Sequence, residues 1–209
     1  NVKIPSTVKE LLYGVFGDCT NLGNVYILNN DIKMNYLNYI TNYTIYCKSN
    51  STAEAFASEH SIPYVVDDDG PTINYNPNGN SQLAKEQTTI VNVLDDKSGI
   101  RDNSLKYIWS QSAQAPVLED FQDNFSNNDS FTKNGDNGDW YLWILAYDIM
   151  ENYTIGSSNK FMLDNTKPTV TVSADKEKYY EGETATITAT FNEDIKDWTP
   201  KISINGFST

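Results

Sequence analysis

The residues able to do chemistry are few in kind and unevenly placed. The chain has one histidine, His60, and two cysteines, Cys19 and Cys47, against 28 Asp plus Glu and 15 Lys plus Arg. A Ser-His-Asp triad has to use His60, and no Gly-x-Ser-x-Gly elbow accompanies it. His60 falls on the apolar side of a short expected helix or at its end, where a packed or capping imidazole is favoured over a catalytic or ligating one. No Cys/His cluster has zinc spacing, and no glycine-rich loop is built to cradle phosphate. The sequence therefore assigns no catalytic, cofactor-binding or metal residue, and the chain reads as a non-enzyme.

The carboxylates need separate treatment. Glycosidases work with two of them, and Asp67-Asp68-Asp69 and Asp95-Asp96 are the adjacent sets. Both sit at the ends of expected elements, where solvated turn carboxylates are the plain reading. Calcium is the sharper alternative. Asp95, Asp148 and Asp164 each follow an expected strand, and Ca²⁺ gathers about six to eight oxygen ligands. The sequence lacks an EF-hand loop, and Asp164-Asn165 also suits an ordinary turn. The turn reading is preferred, and no cofactor is expected.

Cys19 and Cys47 could form one disulfide, but sequence cannot place their Cα atoms within the roughly 4.4–6.8 Å a bridge requires. Two reduced, packed thiols are expected. Asn-X-Ser/Thr occurs at Asn42, Asn50, Asn124, Asn128 and Asn152. In a chain this rich in Asn, Ser and Thr, chance accounts for them. The net charge of −13 repels phosphate backbones, which argues against nucleic acid and anionic membranes. No apolar run is long enough to span a bilayer as a helix. A hydrophobic fraction of 39%, with 14 Tyr, 8 Phe and 4 Trp, supports packed cores rather than disorder.

Three segments position these groups: residues 1–67, 68–166 and 167–209. In the first, apolar residues are too irregular for a helix and too sparse for a sandwich strand, as in solenoid repeats. Ser51-Thr52-Ala53-Glu54 reads as a capping box, with the Ser51 hydroxyl on the Glu54 amide and the Glu54 carboxylate returning to the Ser51 amide. Ala53, Phe56, Ala57 and His60 then share one helical face. Tyr64-Val65-Val66 reads as a strand. Tyr36, Tyr39, Tyr43 and Tyr46 mimic a helical stripe that could stack on sugars. Asn35, Asn38 and Asn42 interrupt it, so Tyr36 and Tyr39 are read in a connecting turn and Tyr43 and Tyr46 in a strand. Asp67-Asp68-Asp69-Gly70-Pro71 is the boundary.

Ile4-Pro5-Ser6-Thr7-Val8, then Val15-Phe16-Gly17-Asp18-Cys19-Thr20-Asn21-Leu22, then Val25-Tyr26-Ile27 resembles the BspA-like leucine-rich repeat of bacterial surface proteins. Val15 stands where that family usually has Ala, and Gly23 where it has Lys or Thr. The stretch from Thr44 to Tyr64 resembles the terminal unit of such arrays. The resemblance implies a repeat array with a concave binding face.

The second segment has expected strands at Thr88–Leu94, Leu105–Ser110, Trp140–Asp148 and Lys160–Leu163, separated by Asn, Asp, Gly and Ser clusters. That argues for a β-sandwich. Leu94-Asp95-Asp96-Lys97-Ser98-Gly99-Ile100, Tyr107-Ile108-Trp109-Ser110, Gly138-Asp139-Trp140-Tyr141-Leu142, Ala146-Tyr147-Asp148 with Asn152, and Asp164-Asn165-Thr166-Lys167-Pro168 resemble a bacterial immunoglobulin-like module. Glu151 stands where that family usually has Gly before the Asn. In the third segment, Ala185, Ile187, Ala189 and Phe191 alternate with threonines, and Val170–Val172 and Ile202–Ile204 add strands. It resembles the first half of another such module.

The expected fold class is mainly β: a terminal leucine-rich-repeat unit with one short helix, an immunoglobulin-like β-sandwich, and a partial second sandwich. One or two repeats are too few to stand alone, so the array is expected to continue before Asn1 and the last sandwich past Thr209. What the resemblances imply is an extracellular bacterial protein, secreted or on the cell surface, that binds a host or neighbouring-cell surface protein or glycan. The alternatives are an accessory region of a secreted carbohydrate-active enzyme and a purely structural stalk.

Overall fold

The computed structural model describes residues 1–35 and 43–195. Among the described residues the structure is mainly β, with several sheets and one α-helix. Two compact units divide the chain, residues 1–164 and 165–209. Tyr36, Tyr39 and the strand expected at Ile202–Ile204 lie outside the described residues.

The chain first winds through β1 (Val2–Ile4), β2 (Glu10–Leu11), β3 (Asn24–Ile27), β4 (Lys33–Met34) and β5 (Thr44–Cys47), then α1 (Thr52–Glu59) and β6 (Tyr64–Val66). Strands β1, β3, β5 and β6 form one parallel sheet in that order, and β2 pairs with β4 in a second parallel ladder. Parallel neighbours require a crossover, which each coil supplies by crossing between the ladders or through α1. Ile4, Leu11, Phe16, Leu22, Val25, Ile27, Ile32 and Ile45 are buried in one core between them. Asn29 is buried but satisfied: its side-chain amide donates to the Val8 carbonyl (2.7 Å) and its Oδ1 accepts from the Asp31 amide (3.0 Å).

Helix α1 covers this core with Ala53, Phe56 and Ala57. The Ser51 hydroxyl accepts from the Glu54 amide at 3.1 Å, as the sequence requires. The return bond differs: Glu54 Oε2 accepts from the amide of Asn50, at 2.6 Å, instead of Ser51. Asn50 has φ +56°, which turns its N–H toward the helix. His60 is the C-cap, exposed, with its ring 4.4 Å from that of Phe56.

Next come β7 (Thr72–Asn76), β8 (Asn80–Ala84), β9 (Glu86–Leu94), β10 (Lys106–Ser110), β11 (Asp123–Asn124), β12 (Ser130–Asn134), β13 (Gly138–Tyr147), β14 (Tyr153–Ser157) and β15 (Phe161–Leu163). One sheet runs β12-β9-β7. The other runs β11-β10-β13-β15-β8, with β14 also on β13. Val91 and Val93 from the first sheet meet Leu142, Ile144 and Ala146 from the second in one core. In β9 every second residue from Gln87 to Val93 is buried, the period of a strand with one dry face. In β13 the residues from Leu142 to Ala146 are all buried. Trp143 and Leu145 pack against Phe121 on the outer face, so the near-continuous apolar run is that of a strand covered on both sides.

The second unit contains the antiparallel pair β16 (Val170–Ala174) and β17 (Ile187–Phe191). Ile187, Ala189 and Phe191 lie on the more covered face of β17, and β16 is exposed throughout.

Both cysteines are free. Cys47 is buried in β5, whereas Cys19 is exposed, contrary to the expectation that both pack. Burial pushes the Cys47 thiol up to about 11, against the lowering effect of a Ser51 hydrogen bond. A thiolate-seeking reagent at pH 8 is therefore expected to modify one cysteine, Cys19, in the folded chain and both in denaturant. Peptide mapping by mass spectrometry checks this, and Cys47 labelling at the rate of Cys19 would contradict the packing.

Candidate metal centre

Three carboxylates converge where three sheets end. Asp67 follows β6, Asp95 follows β9 and Asp148 follows β13. One oxygen from each lies within 4.8 Å of the other two. Asp67 and Asp148 are fully buried and Asp95 is partly buried. Two members, Asp95 and Asp148, belong to the calcium set considered from sequence. The third does not: Asp164 donates its amide to the Ala84 carbonyl and lies outside the group. Asp67 takes its place, which corrects the reading of Asp67-Asp68-Asp69 as a solvated acidic turn. Only Asp68 and Asp69 are exposed.

Local backbone geometry fixes each carboxylate. Asp67 continues the parallel register: its amide donates to the Cys47 carbonyl at 2.9 Å. Its Oδ2 accepts from the Ser98 amide at 3.2 Å, while its Oδ1 is buried with no hydrogen-bond partner. Asp95 closes its own turn, with Oδ1 accepting from the amides of Lys97 (3.2 Å) and Gly99 (2.7 Å). Gly99 has φ +88°, a conformation that favours glycine there. The Gly99 carbonyl accepts from the Ile149 amide at 3.0 Å, which ties the Asp95 turn to the Asp148 turn.

Asp148 is held by Asn152. Its Oδ1 accepts from the Asn152 amide (2.8 Å) and its Oδ2 from the Asn152 side-chain amide (2.6 Å). The Asp148 amide in turn donates to the Asn152 carbonyl at 3.0 Å. Glu151 completes this turn at φ +64°, in the left-handed region that a residue other than glycine enters at a cost. The Glu151 carboxylate meets Lys3 of β1 at 3.0 Å, a surface contact between the ladder and this turn.

Asn152 also reaches the ladder. Its side-chain amide lies 3.2 Å from the carbonyls of both Asp67 and Asp69, and its Oδ1 accepts from the Lys48 ammonium. Lys48 donates in addition to the Asp67 carbonyl at 2.9 Å. Asn152 lies in a glycosylation tripeptide, but all its polar atoms are engaged in the fold.

The electrostatics are unfavourable for the three acids alone. Among the described residues no Lys or Arg forms an ion pair with any of them. Lys97 pairs with Asp69 instead, at 2.8 Å. Two carboxylate charges this close repel by at least about 3 kcal/mol at an effective dielectric of about 20. Burial pushes Asp148 up to about 6, against the lowering effect of its Asn152 hydrogen bonds, and the charges of Asp67 and Asp95 add to the rise. A raised carboxyl favours folding below its ordinary range, and that contribution is lost as pH rises through about 6. At neutral pH Asp148 therefore costs stability where it stands.

The donor set is all oxygen. Neither cysteine nor His60 belongs to it. Oxygen-only carboxylate sites suit hard cations such as Ca²⁺ rather than Zn²⁺ or copper. Comparison with known families, curated proteins and solved structures finds no match to the chain.

Asn152 links the two halves of the first unit, so its truncation is expected to be felt throughout. Asn152→Ala keeps the backbone amide on Asp148 Oδ1 but removes the side-chain donor to Asp148 Oδ2 and to the Asp67 and Asp69 carbonyls, and an acceptor from Lys48. It should lower unfolding free energy by about 3 kcal/mol. Urea denaturation followed by Trp fluorescence measures this, and a loss under about 0.5 kcal/mol would show that the network does not bear on stability.

Proposed function

We propose that this chain is a non-catalytic part of a bacterial cell-surface or secreted protein that binds a protein or glycan through a leucine-rich-repeat array carried on immunoglobulin-like modules. On this reading residues 1–67 are the end of the array, 68–166 an immunoglobulin-like β-sandwich used as a spacer, and 167–209 the start of a further one.

The observation that carries the reading is the parallel register of the ladder. Val2, Val25, Ile45 and Tyr64 stand side by side, so the chain returns to the same place every 20 or so residues, within the period of leucine-rich repeats. The motif residues Ile4, Phe16, Leu22, Val25 and Ile27 face one shared core, which is what a repeat needs them to do. The two facing sheets of residues 72–163, with Val91, Val93, Leu142 and Ile144 between them, support the sandwich. An extracellular setting follows from the resemblance to surface proteins. The acidic surface is compatible with it.

Large apolar side chains stand out on the coil between β2 and β3: Leu12 is 63% and Tyr13 68% exposed. They are the first positions to test for ligand contact. The full chain is expected to give a reproducible hit on a glycan or host-protein array, abolished by Leu12→Ser with Tyr13→Ser while the circular dichroism spectrum is unchanged. Silence on both arrays would contradict adhesion and leave a stalk. Substrate turnover by the isolated chain would contradict the non-catalytic reading altogether.

A further inference from the structure

The acidic trio carries an inference independent of that reading. The geometry points to Asp67, Asp95 and Asp148 as the protein ligands of a calcium ion that clamps the parallel ladder to both facing sheets.

Clustered carboxylates alone do not make a site. Two further observations point to a ligand here. Asp67 is fully buried, yet its Oδ1 has no hydrogen-bond partner. Ser98, 5% exposed, supplies the amide that caps the other Asp67 oxygen, and its own hydroxyl is likewise buried without a partner. Unsatisfied buried oxygens are rare in folded proteins, because each forfeits its hydration. Both belong to residues that meet at the trio, and a bound cation would give them the partner they lack.

The dimensions agree. Oxygens on opposite sides of one Ca²⁺ are separated by about 4.6–5.2 Å, twice the usual bond length, and oxygens on one side by less. The three carboxylate oxygens fall within 4.8 Å of one another. Mg²⁺ demands a strict octahedron, dehydrates reluctantly and is usually bound through one or two carboxylates rather than three. The nearby ammonium groups do not do the cation's work: Lys48 is held by the Asp67 carbonyl and Asn152 Oδ1, and Lys97 by Asp69. Three protein ligands leave room for water to complete the shell.

The position gives the site its purpose. Asp67 belongs to the ladder, Asp95 to the sheet of β7, β9 and β12, and Asp148 to the sheet of β13. An ion held by all three adds a tie between the ladder and the two sheets that share the Val91 and Leu142 core, and so stiffens the join between ladder and facing sheets.

The test uses the full chain, stripped with chelator and titrated with CaCl₂ by isothermal calorimetry and thermal melting. One ion should bind per chain and raise Tm, with chelator reversing the rise and equimolar MgCl₂ giving a smaller one. Asp95→Asn keeps an acceptor for the Lys97 and Gly99 amides but removes a charge, and should weaken calcium binding at least tenfold. Asp67→Asn should also lose binding, yet melt above the wild type in chelator, because it relieves repulsion and gives the free position a donor. A merely structural Asp67 would instead melt lower in chelator. Asp164→Asn should bind as the wild type does. The proposal is overturned if the wild-type chain shows no saturable calcium binding, or if Asp67→Asn and Asp95→Asn bind with unchanged affinity. Neither result touches the surface-protein reading, which the arrays test separately.

Discussion

The carboxylates of Asp67, Asp95 and Asp148 leave three different sheets and meet in a space small enough for one ion. Such a meeting is costly for bare charges, since burial strips Asp67 and Asp148 of water and each of the three lies near two others. The fold offsets part of the cost locally: the Ser98, Lys97, Gly99 and Asn152 amides each point at a carboxylate oxygen. Hydrogen bonds to the charged form stabilise it, but they supply no countercharge. A hard dication is the species whose charge and ligand preference match the remaining imbalance.

The same geometry shows how a solenoid-like ladder and a two-sheet body can act as one unit. Their apolar cores are separate clusters, one lined by Ile27, Ile45 and Ala57, the other by Val91, Leu142 and Ile144. Polar groups join them directly. Asn152 touches Asp67, Asp69 and Asp148 at once, and Lys48 spans from the ladder to Asn152. Gly70 lets the chain pass tightly beside β14: a Cβ there would lie 2.7 Å from the Tyr153 carbonyl. A short connection this closely packed is not a flexible linker, whatever its acidic, glycine-containing sequence suggests.

Much of the fold was legible in the residues. The helix from Thr52 was announced by Ser51 and Glu54, and the long central strand β13 by its unbroken apolar run. Strand β12, by contrast, buries one large side chain, Phe131, within Ser-Phe-Thr-Lys-Asn, too little alternation to stand out. Strands β7, β8 and β14 were equally obscured by Asn, Gln and Gly, because long-range pairing rather than local propensity makes them. Asp95 and Asp148 were recognisable as strand-end acids. Asp67 has the same signal, directly after Tyr64-Val65-Val66, but two following aspartates made it look like a repelling, hydrated run. Nothing in the sequence distance between residues 67, 95 and 148 reveals that three sheets end at one point. That information lies in the topology.

Joined at this point, the ladder and the facing sheets of residues 1–164 are expected to behave as one cooperative body. Native-state hydrogen exchange on the full chain with calcium present tests it most directly. Amides of β3 and β5 and those of β9 and β13 are expected to exchange through openings of the same free energy, with the same denaturant dependence. Ladder amides that exchange by a separate, lower-energy opening while β9 and β13 stay protected would contradict it.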